Sequence, residues 1–359
     1  MAHWKDYGTV WSDVVFFRYI AEGVEKSANE IFVWDLDKTY LDTSWGGFIE
    51  LLKVALERAM SKKNIPGTNT LIRSLVDQWQ VQKAHRHFPL YFITASPPQM
   101  ESRISEKLSI DGIFPFGCFY KDNLQNLHPK RWWRLTKQVG YKVQALLQLR
   151  SMLKGDVRQV LWGDDSESDA VIYNLYSDIC ARRIGPHELR QILAQFWVTG
   201  EQVDTILQLQ SSIPENDPVE KIYINLASDT DPDYYLKFGR RTIPTYNSFQ
   251  TALDLYQDGR LDLQRTVNVA KDMTENYGFT NDELARSFDE LIRRKVLVDP
   301  FVSRVTKEMQ DVGILHFDFA PSVIPLQSVS APMLSRGFDI SGVHEPWISD
   351  RIDYLHDYR

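Results

Sequence analysis

Carboxylates and hydroxyls stand at three places in this chain where an apolar run ends. Ile31-Phe-Val-Trp34 leads into Asp35-Leu-Asp37-Lys-Thr39. Leu90-Tyr-Phe-Ile93 leads into Thr94-Ala-Ser96-Pro-Pro98. Val157 to Trp162 leads into Gly163-Asp-Asp-Ser-Glu-Ser-Asp169. Short apolar runs of this kind read as buried parallel strands, and the carboxyl ends of such strands are where α/β folds place their sites. Asp-x-Asp by itself is a weak signal, since most such pairs are surface turns. Directly after a buried strand, side chains at i and i+2 can converge on one point. Phosphoryl transfer needs that pair: an anionic nucleophile to attack phosphorus, and a second group to protonate the leaving oxygen. Asp35 is the expected nucleophile, through an aspartyl-phosphate. Asp37 is the expected acid, and afterwards the base that activates water.

Two carboxylates beside a phosphate dianion repel it. A hard cation removes that penalty, and Mg²⁺ prefers oxygen ligands. Asp164 and Asp169 supply further carboxylates, and the run Gly-Asp-Asp-x-x-x-Asp is more specific than Asp-x-Asp. Its plain alternative is an acidic helix N-terminus favoured by the helix dipole, which applies most to Asp165 and Glu167. Whether Asp165 or Asp169 completes the metal shell is left open by spacing. The Thr94 hydroxyl and neighbouring backbone N–H groups are placed to hold a phosphoryl oxygen, with a simple helix cap as the competing use. Ser96 is a second candidate substrate contact and the more ordinary cap. Lys142, on a helix between the second and last motifs, would neutralise Asp35 and the phosphoryl oxygens; Lys137 competes for that role.

The elements that position these residues follow from periodicity. Helical spacing runs from about Trp45 to Lys62, over Leu71, Ile72, Leu75, Val76 and Trp79, from Val139 to Leu153, and from Pro186 to about Leu209. Phe116 to Tyr120, Ile179 to Arg182 and Lys221 to Leu226 read as further strands. Strands alternating with helices argue for an α/β, doubly wound parallel sheet. The division expected is an aromatic-rich helix or docking segment over residues 1–28, a catalytic domain over 29–262 with a helical insert at about 185–215, and a helical C-terminal appendage with a tail over 263–359.

Composition narrows the function classes. The chain has 359 residues and a net charge of −7, which argues against a general nucleic-acid binder. Charge is uneven: Lys121 to Arg158 holds nine Lys/Arg against two Asp, a segment where an anionic substrate would be met. Two cysteines make no disulfide framework, so a reduced, cytoplasmic protein is expected. The start lacks the basic and apolar regions of a signal peptide, and no apolar run approaches the roughly 18 residues of a membrane span. His85-x-His87 lacks a third metal ligand. Lys130-Arg-Trp-Trp-Arg134 mixes cations with aromatics, which suits a lipid headgroup, an interface or a single strand of nucleic acid as well as inward packing.

The order strand-Asp-x-Asp, strand-Thr, helix-Lys, strand-Gly-Asp-Asp-x-x-x-Asp resembles the haloacid dehalogenase superfamily. Within it, Phe92-Ile-Thr-Ala-Ser-Pro-Pro-Gln99, Phe114-Pro-Phe-Gly117, Tyr141-Lys142-Val-Gln, Gly163 to Tyr173 and Lys221-Ile-Tyr-Ile-Asn225 resemble the phosphatidate phosphatase family related to the yeast actin-patch enzyme. The likeness covers about residues 30–260 in separated patches. Lys38 stands where that family usually has a third acid, and Pro98 where it usually has Trp. The resemblance implies a Rossmann-like core, Mg²⁺ dependence, Asp35 as nucleophile and metal ligand, and Asp37 as acid/base giving its carbonyl to the metal. It implies that Thr94 and Lys142 bind phosphate and that Asp164 and Asp169 complete the metal shell. With about 55 residues between Asp37 and Thr94, little room is expected for a large cap. A nearly open site favours a bulky phosphorylated substrate such as phosphatidate or another phospholipid, with peripheral membrane contact. The alternatives are a polynucleotide-end phosphatase and a non-enzymatic binding protein on the same fold.

Overall fold

The computed structural model describes residues 4–21, 23–42, 64–83, 87–122, 138–165, 168–239, 241–322 and 352–355. In chain order these contain β1 (Thr9–Trp11), β2 (Val14–Arg18), β3 (Glu30–Asp35), α1 (Thr68–Gln82), β4 (Leu90–Ile93), α2 (Glu101–Ile110), β5 (Gly117–Lys121) and α3 (Gln138–Met152). There follow β6 (Arg158–Asp164), α4 (Asp169–Cys180), α5 (Pro186–Gln195), α6 (Gly200–Ser212), β7 (Val219–Asn225), β8 (Thr242–Thr245), α7 (Ser248–Gln257), α8 (Leu263–Tyr277), α9 (Asn281–Arg293) and α10 (Phe301–Asp311). The helix expected over Trp45 to Lys62, Lys137 and the Lys130–Arg134 cluster lie outside the described residues. So does His85. None of the described helices is long and apolar enough to cross a membrane.

The chain divides into two units: residues 1–63, 88–230 and 349–359 form unit 1, and residues 64–87 and 231–348 form unit 2. Unit 1 is an α/β body around a mostly parallel sheet, in the order β1-β2-β5-β4-β3-β6-β7. β3 lies between β4 and β6 and is parallel to both, while β2 joins β5 antiparallel. From β3 the chain moves outward through β4 to β5, then returns to the far side of β3 for β6 and β7. That reversal opens a crevice at the carboxyl ends of β3 and β6, the topological switch point where open α/β sheets bind ligands. All six residues of β3 are buried. Trp34 stacks on Trp162 at 4.6 Å and Trp162 on Tyr223 at 5.0 Å, an aromatic row across β3, β6 and β7.

Three expectations change. Residues 9–18 are not a helix but a hairpin that extends the sheet. Val14 to Phe17 are buried, and Phe16 stacks on Phe119 of β5 at 4.5 Å. β-branched and aromatic residues in succession favour a pleated, paired surface over a helix. Ile179 to Arg182 is no strand: the run from Val171 continues as α4 to Cys180. α3 is not amphipathic but buried on every side from Gln138 to Arg150. α4 and α6 both pack on it, so the expected insert at about 185–215, found as α5 and α6, covers α3. Gly140 permits the approach, since a Cβ there would stand 2.4 Å from the Gln202 Oε1 atom.

Unit 2 is mainly helical. α1 packs on α8 and α7, and the Thr70 hydroxyl donates to Asp272 at 2.8 Å. α9 begins with a capping box, Thr280 and Glu283 each accepting from the other's backbone. The division therefore departs from the boundaries at 29–262 and 263–359. α1, from between the first two motifs, and residues 231–262 belong with the C-terminal helices. The last described residues return to unit 1, where the Tyr354 hydroxyl donates to buried Asp178.

Candidate active site

β3 and β6 are neighbours in register, so their carboxyl ends bring Asp35 and Asp164 to one place. Asp35 is the last residue of β3 and 1% exposed; Asp164 is the last of β6 and 2% exposed. Asp169 opens α4 one turn later and is fully buried. One carboxylate oxygen of each lies within 4.8 Å of the others. Gly163 makes this possible, because a Cβ there would stand 2.4 Å from the Asp169 Oδ2 atom. Only a residue without a side chain lets α4 fold its first acid back onto the strand. The Asp164 N–H completes the turn by donating to Asp169 at 3.3 Å.

Lys142 reaches this cluster from the first turns of α3. Its ammonium lies 2.8 Å from Asp35 Oδ1 and 2.5 Å from Asp169 Oδ1, with no exposure to solvent. Three buried carboxylates thus face one buried ammonium. Unit charges 4 to 5 Å apart repel by on the order of 3–4 kcal/mol at an effective dielectric near ~20. A cation bound among these oxygens relieves that repulsion, as protonation of one carboxyl would. The donors are all hard oxygens, the set that Mg²⁺ or Ca²⁺ takes and that soft metals do not. The residues present therefore fit a divalent hard cation.

Asp165 is elsewhere. Its carboxylate accepts from the Ala227 N–H at 2.8 Å and from the Thr230 hydroxyl, and so anchors the loop after β7. Between the two acids that spacing left open, geometry puts Asp169 in the cluster.

Asp37 is half-buried, in a tight loop beyond β3. The loop is closed by Lys38 N–H to Leu41 O at 2.8 Å and by Tyr40 and Leu41 N–H groups to Leu36 O. Lys38 takes a left-handed φ of 57° to make the turn. Thr94 is fully buried at the end of β4, and its hydroxyl donates to Asp37 Oδ2 at 2.8 Å. The Thr94 hydroxyl oxygen in turn accepts from the Ser96 N–H at 3.0 Å. Thr94 is thus neither a plain helix cap nor free of Asp37: it ties the second acid to β4. Ser96 does not cap a helix either. The short helix Pro98–Met100 and α2 have no side-chain caps, and Ser96 enters through its backbone, its carbonyl accepting from Lys121 N–H at 3.1 Å.

Sequence reasoning passed over three residues. Thr39 donates to Asp35 Oδ2 at 3.4 Å. The Tyr141 hydroxyl donates to the Thr94 carbonyl at 2.7 Å, and the Tyr173 hydroxyl to the Trp162 carbonyl at 2.9 Å. Burial holds both phenols well above the ordinary tyrosine value, so both remain donors. Tyr141 and Tyr173 lay within quoted motifs, but a tyrosine beside a lysine or four residues into a helix carries no signal of its own. Compared with known proteins, the chain matches no family model, no curated protein and no solved structure.

Proposed function

We propose that the chain is a Mg²⁺-dependent phosphomonoester hydrolase of the haloacid dehalogenase type, acting through an aspartyl-phosphate on Asp35. The observation that carries this reading is the convergence of Asp35, Asp164, Asp169 and Lys142 at the switch point of a parallel sheet, with Asp37 in the loop after β3 tied to Thr94 at the end of β4. Asp35, Asp164 and Asp169, with the backbone carbonyl of Asp37, would hold the metal. When bound, Mg²⁺ supplies positive charge that lets a phosphate dianion approach these acids.

The protein's own groups then divide the work. A carboxylate oxygen of Asp35 forms a bond to phosphorus as the ester P–O bond breaks. Asp37, protonated, gives its proton to the leaving oxygen. In the second half, water attacks phosphorus, Asp37 takes its proton, and the Asp35–phosphorus bond breaks to release phosphate. Lys142 offsets the phosphoryl charge in both steps. Asp37 meets the leaving oxygen in the first half and water in the second, and it is the least buried of these acids, while the nucleophile is shielded from solvent.

The substrate class proposed is a phosphomonoester with a bulky leaving group, phosphatidate foremost, in a cytoplasmic protein that meets the membrane peripherally. Support comes from the stretches 92–99 and 221–225 that resemble phosphatidate phosphatases. The test is a phosphatase panel with Mg²⁺ comparing wild type with Asp35→Asn, with phosphatidate micelles, a 3′-phosphorylated oligonucleotide and sugar phosphates as separate arms. A variant as fast as wild type would end the Asp35 mechanism. Turnover confined to sugar phosphates would end the bulky-substrate assignment, and turnover confined to the oligonucleotide would transfer it to nucleic-acid ends.

A further inference from the structure

We propose that Tyr141 is a positioning residue for the acid step, holding Thr94 and through it Asp37; this rests on the phosphohydrolase reading above. The chain of contacts is continuous and buried. β4 ends at Ile93, so the Thr94 carbonyl lies past the last strand residue. A buried carbonyl without a donor is destabilising. The Tyr141 hydroxyl supplies that donor at 2.7 Å, from the helix that also carries Lys142. On its other side the Thr94 N–H donates to the Phe119 carbonyl of β5 at 2.9 Å.

The Thr94 backbone is therefore held from both directions, by β5 and by α3. Its hydroxyl is held as well, accepting from Ser96 N–H at 3.0 Å and so left with its own proton for Asp37 Oδ2 at 2.8 Å. The direction of that proton matters. A carboxyl group that accepts on one oxygen can carry its own proton on the other. Tyr141 sets the orientation of this relay without touching substrate. The ring is fixed independently of the hydroxyl: it is fully buried, and the Lys121 ammonium lies 5.8 Å from its centre. Tyr141→Phe thus removes one hydrogen bond and keeps the packing.

A residue that acts on the acid step has a signature that a merely structural one lacks. A good leaving group departs without a proton and a poor one does not. The experiment measures kcat for wild type and Tyr141→Phe on p-nitrophenyl phosphate, phenyl phosphate and an alkyl phosphate, with saturating Mg²⁺. The loss expected is less than about 2-fold on p-nitrophenyl phosphate and about 10-fold or more on the alkyl ester, with KM little changed, a fraction of the 10²- to 10⁴-fold that proton transfer contributes. In the Asp37→Asn background, Tyr141→Phe should cost nothing further on any ester, because the group it acts through is gone. An equal loss on every ester, or an undiminished loss in the Asp37→Asn background, overturns the positioning role while leaving the phosphohydrolase reading intact. A wild type that hydrolyses none of this series and no arm of the phosphatase panel above overturns that reading, and this inference with it.

Discussion

Replacing Lys142 with methionine should make the stability of unit 1 depend on Mg²⁺ far more than it does in the wild type. Methionine keeps the length of the side chain and removes its charge. Lys142 and its partners are 0–1% exposed, so solvent does not screen the loss. Removing one member of a buried ion pair costs about 3–5 kcal/mol, because the other charge is left in the interior. Here Lys142 bridges two buried carboxylates with a third within 4.8 Å, which puts the cost in the metal-free protein at the upper end of that range. A divalent cation on the same oxygens restores the balance. At ~100 times its dissociation constant, a ligand stabilises the fold it binds by about 2.7 kcal/mol, and more if the variant's extra negative charge tightens binding. The assay is urea unfolding of wild type and Lys142→Met in EDTA and in Mg²⁺. Hydrogen exchange at the amides of β3 and β6 assigns the change to unit 1. The expected result is a variant several kcal/mol weaker in EDTA that recovers more than half of the gap in Mg²⁺. A variant within about 1 kcal/mol of wild type in EDTA would refute the charge argument. One that stays weak by the same amount in saturating Mg²⁺ would show that the cation and the lysine do not face the same oxygens.

Two further predictions separate the acids and test the turn that gathers them. Asp164→Asn should weaken Mg²⁺ binding by about 10-fold or more in a calorimetric titration, whereas Asp165→Asn should leave it unchanged and instead speed exchange of the Ala227 amide, its partner at 2.8 Å. Gly163→Ala places a methyl 2.4 Å from the Asp169 carboxylate; it should cost about 1–3 kcal/mol in unfolding and displace Asp169 enough to lower Mg²⁺ affinity. A variant as stable and as tight as wild type would mean that α4 can shift at no cost.

The core of unit 1 was legible because its strands are short, apolar and closed by the acids themselves. Ile31 to Asp35 and Val157 to Asp164 announce both the strand and its functional end in one stretch of sequence. Lys142 was legible only as one of two lysines, since periodicity places a residue on a helix face but not against a particular carboxylate. The N-terminal hairpin was misread because Trp4, Trp11, Val14, Val15, Phe16 and Phe17 satisfy a helical spacing loosely. What decides the matter is the pairing of Val14 to Arg18 with Lys121 to Gly117, a partner a hundred residues away. The two units cut across the expected division for the same reason. α1 is held to its unit by contacts such as Thr70 with Asp272, 202 residues apart, and no local pattern reports them. Tyr141 was invisible because its role is defined by a backbone carbonyl, a group every residue carries.

Exposure orders the candidate site in the way its chemistry requires. Asp35, Asp164, Asp169 and Lys142 are at most 2% exposed and sit on or next to regular elements. These are the groups whose spacing must survive a change of charge, and strands and helices hold spacing best. Asp37 is the exception: half-buried, on a loop that turns through a left-handed Lys38. A proton donor to a departing group, and a base toward an entering water, has to meet solvent. The cost of that exposure is freedom of movement, which the fold limits by other means. Three backbone hydrogen bonds close the loop on itself, and Thr94 ties the proposed acid, Asp37, to β4. The left-handed residue is part of the same solution. It costs about 1 kcal/mol or more in a non-glycine residue, and it turns the chain back within four residues of the strand, so that Asp37 stays at the mouth of the crevice rather than being carried away from it.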